Sequence, residues 1–217
     1  LLSRLFPGPR FEPSDWPRCI ALALIGHTGY QLLFISSISR TTASNTAILL
    51  GLTPVFVALL SASFGVEKTT PRTWLGIVIS IFGVYLVLNN SLQMGGNPFG
   101  DWLALAATLM WSIYTVGGKS MVQKYGLFKS NAYLLCIGTI FFLPFGIPAL
   151  VDVPFSNVPL LTWFETAFSF LFALVVAYCS WFYAVSKIGP TKTAIYSNLT
   201  PVGAIIAAHL WLGEQIG

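Results

Sequence analysis

The sequence predicts an all-α, polytopic membrane protein folded as an inverted-repeat helical bundle. Three observations predict it: seven apolar blocks of spanning length, basic residues gathered on alternate connections, and a gapless internal duplication.

Of 217 residues, 8% are charged and 55% apolar, whereas a soluble domain carries about a quarter charged residues. So few charges cannot cover a water-facing globule of this size, and lipid is the expected solvent. The net charge of +4 is small, and the Lys and Arg residues form no run or stripe, so no nucleic-acid partner is expected. Cys19, Cys136 and Cys179 lie far apart with no metal-ligand spacing and read as small apolar packers. No metal and no cofactor is expected.

The blocks cover about 19 to 38, 43 to 66, 73 to 90, 102 to 121, 132 to 151, 162 to 185 and 193 to 212. Each is long enough, or nearly so, to cross the roughly 30 Å hydrocarbon core as a helix of about 20 residues. Helix is the expected state because lipid offers backbone groups no partner, and the alternating short segments of a barrel are missing. Gly95, Gly96, Asn97 and Pro98 separate the third and fourth blocks, and Gly189 with Pro190 the last two. Trp16, Trp74, Trp102, Trp163 and Trp211 fall at block ends, where indole prefers the headgroup layer.

Alternate connections hold Arg4, Arg10 and Arg18, then Lys68 and Arg72, then Lys119, Lys124 and Lys129, then Lys187 and Lys192. The opposite set holds Arg40 alone, beside Asp101, Asp152, Glu165 and Glu214. Basic residues accumulate on the cytoplasmic side, so the first block is expected to start there.

Ser39 to Glu67 aligns without gaps on Ser186 to Glu214 at a constant offset of 147. TAI recurs at 46 to 48 and 193 to 195, and LTPV at 52 to 55 and 199 to 202; nine of 29 positions are identical. Eight of the nine lie in the first 17 positions, too many for chance between two apolar helices. The copies are the second and seventh blocks, five spans apart, so they cross in opposite directions. Inverted repeats of this kind let many secondary transporters adopt two mirror-related states.

NTAILLGLTPVFVALL followed by Glu67, TAIYSNLTPVGAIIAA followed by LGE at 212 to 214, and GDWLALAATLMWSIYTVGGK at 100 to 119 resemble the EamA-domain family of the drug/metabolite transporter superfamily. The resemblance covers nearly the whole chain. That family has ten spans in two repeats of five. The resemblance therefore implies a first repeat at 1–94 lacking its first two helices, and a second at 95–217 lacking its last, with seven transmembrane helices present of ten. It also implies a secondary transporter, an exporter of small metabolites such as amino acids or related neutral or zwitterionic compounds, working by alternating access in the cytoplasmic (inner) or plasma membrane. The expected partners are a small-molecule substrate and the lipid bilayer, with a coupled proton and a homodimer as candidates.

Candidate substrate-binding residues follow the blocks. His27 lies about 12 Å into the first block with Gln31 one turn later on the same face; an intramembrane ionisable group is a candidate site, and a hydrogen-bonded neutral imidazole is the alternative. Pro54 and Pro201 sit at mid-membrane in the duplicated helices, where each is expected to kink its helix and free a carbonyl. Thr53 and Thr200 either line the cavity or re-satisfy those carbonyls. Trp111 and Tyr114 share a face at mid-span of the fourth block, as packing or as an aromatic cavity wall. Asn198 shares a face with Pro201, and an amide at that depth needs a partner. Tyr178 and Trp181 read as membrane-edge aromatics, and Glu67 and Glu214 as helix-end anchors.

No phosphate-binding glycine loop or nucleotide fingerprint is present, so pumping driven by hydrolysis is not encoded. A polytopic enzyme would need mid-span acidic or nucleophilic groups, and none is evident. A seven-helix receptor predicts no inverted duplication.

Overall fold

The computed structural model of the chain describes residues 9–41, 46, 49–68, 70–72, 74–76, 78–79, 82, 97–151, 153, 155 and 158–197. Among them every regular element is helical. We label them α1 (Pro13–Ile38), α2 (Thr53–Ser63), α3 (Pro98–Tyr125), α4 (Leu127–Val151), α5 (Leu160–Ile188) and α6 (Pro190–Tyr196). Three stretches among the described residues, Pro13–Ile38, Leu127–Pro148 and Leu160–Ile188, are both long and apolar enough to cross a membrane. The chain is an all-α polytopic membrane protein. The third block is described at 74–76, 78–79 and 82, all of them helical.

Local chemistry sets the ends of these helices. The Asn97 side chain accepts from the Phe99 amide at 3.0 Å ahead of Pro98, whose missing N–H costs nothing in a first turn. Gly126 (φ 83°) ends α3, and Gly189 (φ 89°) separates α5 from α6 before Pro190 opens the latter. Buried hydroxyls inside the apolar helices bond back one turn: Thr108 to the Ala104 carbonyl at 2.8 Å and Ser112 to that of Thr108 at 2.7 Å. Such bonds keep polar side chains satisfied where water is absent.

The bundle is assembled through glycines. Between lipid-solvated helices there is little hydrophobic drive, so close backbone approach and van der Waals contact must supply it. α1 and α3 run antiparallel with Leu22 over Gly117, the Tyr114 ring over Gly26, Met110 over Gly29 and Thr41 against Gly100. A methyl group at Gly118 would run into the Phe182 ring of α5, and one at Gly138 of α4 into His27. The largest buried cluster joins Cys19 and Leu22 of α1, Tyr114 and Met121 of α3, Leu134 of α4 and Tyr178 and Phe182 of α5. The two copies of the duplicated segment also touch, through Val57 of α2 and Ala194 of α6 around Val116 of α3.

Two expectations are corrected here. The second block is interrupted, not kinked: positions 49–50 are helical, Gly51 and Leu52 form a turn, and α2 starts at Thr53 with Pro54 in its first turn. The cause is the lost Pro54 amide, and Thr53 compensates by donating its hydroxyl to the Leu50 carbonyl at 2.6 Å. Thr108 of α3 donates to the Leu49 carbonyl at 3.3 Å, so the break is sealed against a neighbouring helix. The reading of all three cysteines as packers holds for buried Cys19, while Cys179 is half-buried and Cys136 exposed.

Candidate functional site

The middle of α1, Leu24–Gly29, is wound as a π-helix, a wider turn that shifts the facing of the side chains it carries. It buries Gly26, His27 and Thr28 together. Gly26 admits the Tyr114 ring, and Gly138 admits the His27 side chain, so the imidazole lies where α1, α3 and α4 come closest. The Thr28 hydroxyl donates to the Gly138 carbonyl at 3.0 Å, fixing α1 on α4. α5 has its own π-helical stretch, Phe170–Val176, one residue before the α-helix that carries Tyr178 and Trp181.

His27 Nε2 lies 2.9 Å from the Tyr114 hydroxyl. Its ring stacks on Tyr178 with centroids 4.9 Å apart and 22° between planes, and meets Tyr114 edge-on at 5.0 Å. Tyr114 is fully buried, and His27 and Tyr178 are each 7% exposed. Trp111 stands beside this floor, edge-on to Tyr178 at 5.2 Å and tilted against Tyr30 at 5.2 Å and Trp181 at 5.6 Å. The Trp181 indole donates to the Thr115 hydroxyl at 3.1 Å. Trp111, Tyr30 and Trp181 are half-buried and form the rim. No Asp, Glu, Lys or Arg among the described residues acts on His27 or Tyr114. The cluster therefore gathers π faces, phenolic hydroxyls and one imidazole between α1, α3 and α5. Such a surface suits apolar or aromatic groups, hydrogen-bonding groups and a single positive charge.

Three candidates named from the sequence, His27, Trp111 and Tyr114, are thus brought together. Gln31 is half-buried on α1 one turn beyond His27. Thr53 and Pro54 are at the start of α2, with the Thr53 hydroxyl committed to the Leu50 carbonyl. Asn198, Thr200 and Pro201 lie outside the described residues, as does Glu214. The sequence reading missed Tyr30, Tyr178 and Trp181. Tyr178 and Trp181 are not membrane-edge aromatics: they pack inward on His27 and Trp111. Their signal was a three-residue spacing on one helical face, shared by Tyr30 with His27.

The two ends of the bundle differ. At the end carrying the basic connections, Lys124 of α3 pairs with Glu12 at 2.8 Å and Asp15 at 2.7 Å, and Tyr125 donates to Asp15 at 2.5 Å. Lys124 and then Tyr125 hold the Asp15 carboxyl, in the entry turn ahead of the apolar stretch, below its ordinary range. Glu67 accepts from the Thr191 amide at 3.1 Å, and its other oxygen fills the space over Gly189. At the opposite end Asp101 is fully buried, with one oxygen on the Thr41 hydroxyl at 2.6 Å. There the first half of α5 stands exposed, and an open groove of about 580 Å³ runs along Thr162, Glu165, Thr166, Ser169, Phe170, Ala173 and Leu174. Among the described residues no group of three or more His, Cys, Asp or Glu side chains is placed to hold a metal ion.

A family profile described as the EamA-like transporter family matches residues 1–89 and 98–217. The chain belongs to that family. An EamA-like relative from Archaeoglobus fulgidus, named "Uncharacterized transporter", is 32% identical over 209 residues, taking in 93% of this chain and 70% of its own. A "Probable terminal-alkyne amino-acid exporter" of Streptantibioticus cattleyicolor is 29% identical, over 89% of this chain and 65% of its own. The "Uncharacterized inner membrane transporter YedA" of Escherichia coli K12 is 23% identical over all of this chain and 69% of its own. The chain thus spans about two thirds of the length of these relatives. A crystal structure superposes with a TM-score of 0.69 at 16% identity, over 93% of this chain and 70% of that one, which shows the shared fold. The EamA-like chain is an integral membrane protein whose relatives are named as transporters, which points to transport and away from catalysis.

Proposed function

We propose that the EamA-like chain belongs to a secondary transporter that exports small neutral or zwitterionic metabolites, amino acids among them, from the cell across the cytoplasmic (inner) membrane. The observation that carries this reading is the aromatic cluster around His27, Tyr114, Tyr178 and Trp111, contributed by three helices and facing no fixed charge among the described residues. A neutral lining favours a substrate without net charge, because burying an uncompensated ion in lipid is expensive. The printed names of the Streptantibioticus and Escherichia relatives support the amino-acid class and the inner membrane.

The proposed mechanism is alternating access. The duplicated segments are inverted by count of spans, and α2 and α6 meet at Val57 and Ala194, as two copies exchanging roles across a pseudo-two-fold axis would. The two repeats are placed at 1–94 and 95–217. Asn198, Thr200 and Pro201 are assigned to the same cavity from the sequence, with Gln31 at its edge.

Thermal unfolding of the full-length protein in detergent across a metabolite panel tests this. A ligand at about a hundred times its Kd stabilises by about 2.7 kcal/mol. Neutral and zwitterionic amino acids are expected to raise the melting temperature, and Trp111→Ala to abolish the rise. Stabilisation by strongly charged compounds alone would overturn the neutral cavity.

A further inference from the structure

α1 and α5 are two copies of one helix. The offset of 147 that lays residues 39–67 on 186–214 also carries Pro13, where α1 starts, onto Leu160, where α5 starts, and Trp16 onto Trp163. It lays the π-helical stretch Leu24–Gly29 within a residue of Phe170–Val176. Such turns are rare, so two at matching depth extend the duplication back through both helices.

The two copies differ in what covers them. Four residues along one face of α1 meet α3: Asp15 pairs with Lys124 at 2.7 Å, Arg18 donates to the Gly117 carbonyl at 3.2 Å, Leu22 lies over Gly117, and Gly26 admits the Tyr114 ring. Their equivalents on α5 are Thr162, Glu165, Ser169 and Ala173. All four are exposed, and all four line the open groove of about 580 Å³. The face that seats α3 on the first copy is thus the uncovered face of the second. The segment that follows α6 is not the helix expected there. Its first-copy equivalent, α2, packs Leu52, Val55 and Ala58 on Ala104 of α3, in a buried cluster that takes nothing from α1 among the described residues.

We propose that this groove on α5 is the seat of a further transmembrane helix of the full-length protein, built like α3 and lying antiparallel to α5 as α3 lies to α1. The relatives have length for such a helix, since this chain covers 70% of the Archaeoglobus protein and 65% of the Streptantibioticus one. What α5 offers sets the chemistry of the occupant. Ser169 is smaller than Leu22, so the occupant brings a larger side chain where α3 has Gly117. Ala173 replaces Gly26, which leaves less room for a ring placed as Tyr114 is. Glu165 stands where Arg18 donates, and a carboxylate only accepts, so the occupant carries a donor within its reach. Acyl chains offer Glu165 no donor, which makes lipid the poorer occupant. Nothing in this seat depends on what is transported.

The test places the photocrosslinker p-benzoylphenylalanine at Phe170, which lines the groove, in the full-length protein in phosphatidylcholine nanodiscs, and maps the adduct by mass spectrometry. An adduct within one molecule, on an apolar helix outside the 217 residues, is expected. The same group at Phe168, whose equivalent Ala21 stays exposed on α1, is expected to capture lipid instead. An adduct from position 170 to phosphatidylcholine, to a second copy, or to another segment of these 217 residues would overturn the proposal. A second reading needs no substitution and so does not depend on a variant that folds. Phosphatidylcholine carrying a diazirine on its acyl chain is photolysed around the unmodified full-length protein. Tags are expected at Phe168 and lost at Ser169 and Ala173; tagging of all three also sinks the seat.

Discussion

Among the described residues, the end of the bundle that carries the basic connections holds more polar contacts between helices than the opposite end. At the basic end Lys124, Tyr125 and Glu67 reach across sequence separations of about a hundred residues to fasten α1 to α3 and α2 to α6. Lys129 adds a bond to the Pro9 carbonyl at 2.6 Å and Arg18 one to the Gly117 carbonyl at 3.2 Å. At the opposite end Thr41 and Asp101 join α1 to α3, while α5 displays Leu160 (84% exposed) and Phe164 (68%). Because both ends share the helices α1, α3 and α5, the difference comes from polar contacts at the membrane edge and not from the apolar core.

The largest break in this contrast is expected at Gly189. Its φ of 89° with ψ of 159° is a backbone state that side chains other than hydrogen rarely adopt, and a Cβ there would run into the Glu67 carboxylate. Gly189→Val is expected to cost about 1–3 kcal/mol from the backbone alone, and to release the Thr191 amide from Glu67. Thermal unfolding measures the first, and faster hydrogen exchange at α6 the second. An unchanged melting point would mean that the α5–α6 turn is not part of what fastens this end.

This contact also marks the limit of what the sequence could say. The spans of α1, α4 and α5 follow from apolar length, and with α3 they fall within about six residues of the expected blocks, because lipid leaves the backbone no alternative to helix. Glu67 was legible as a helix-end residue, since it recurs as Glu214, but its partner at Thr191 depends on how two helices 124 residues apart are placed. Trp111 and Tyr114 were legible as one face of one helix. That Tyr178 and Trp181 turn toward them was not, because helix rotation is set by side-chain packing, here by Phe182 over Gly118. The break before Pro54 was legible in kind, since proline must interrupt the ladder, but its conversion into a turn at Gly51 and Leu52 required the Thr108 hydroxyl of another helix.

A smaller effect is expected at the basic end through acid. The Asp15 carboxyl is held below its ordinary value, first by Lys124 and then by Tyr125. Its contribution to stability is therefore fully present above the unfolded carboxylate's pKa of about 4 and fades as pH falls through the lowered folded value. Melting curves between about pH 5 and pH 3 should fall for the wild type and fall less for Lys124→Met, which removes the main cause of the depression. Parallel curves would show that these exposed pairs contribute nothing to the tie, as many surface pairs do not.

The smallest effect belongs to the opposite end. Asp101 is fully buried; one of its oxygens takes the Thr41 hydroxyl, and the other has no hydrogen-bond partner among the described residues. Asp101→Asn keeps an oxygen acceptor for the Thr41 hydroxyl at the start of α3. Because Thr41 keeps its acceptor, the expected loss stays below the roughly 1–3 kcal/mol of leaving a buried polar group unpaired, whereas Asp15→Asn at the other end lowers the melting point. Equal losses from the two substitutions would mean that Asp101 fastens its end as firmly as Asp15 does. The contrast between the two ends would then reduce to the exposed half of α5.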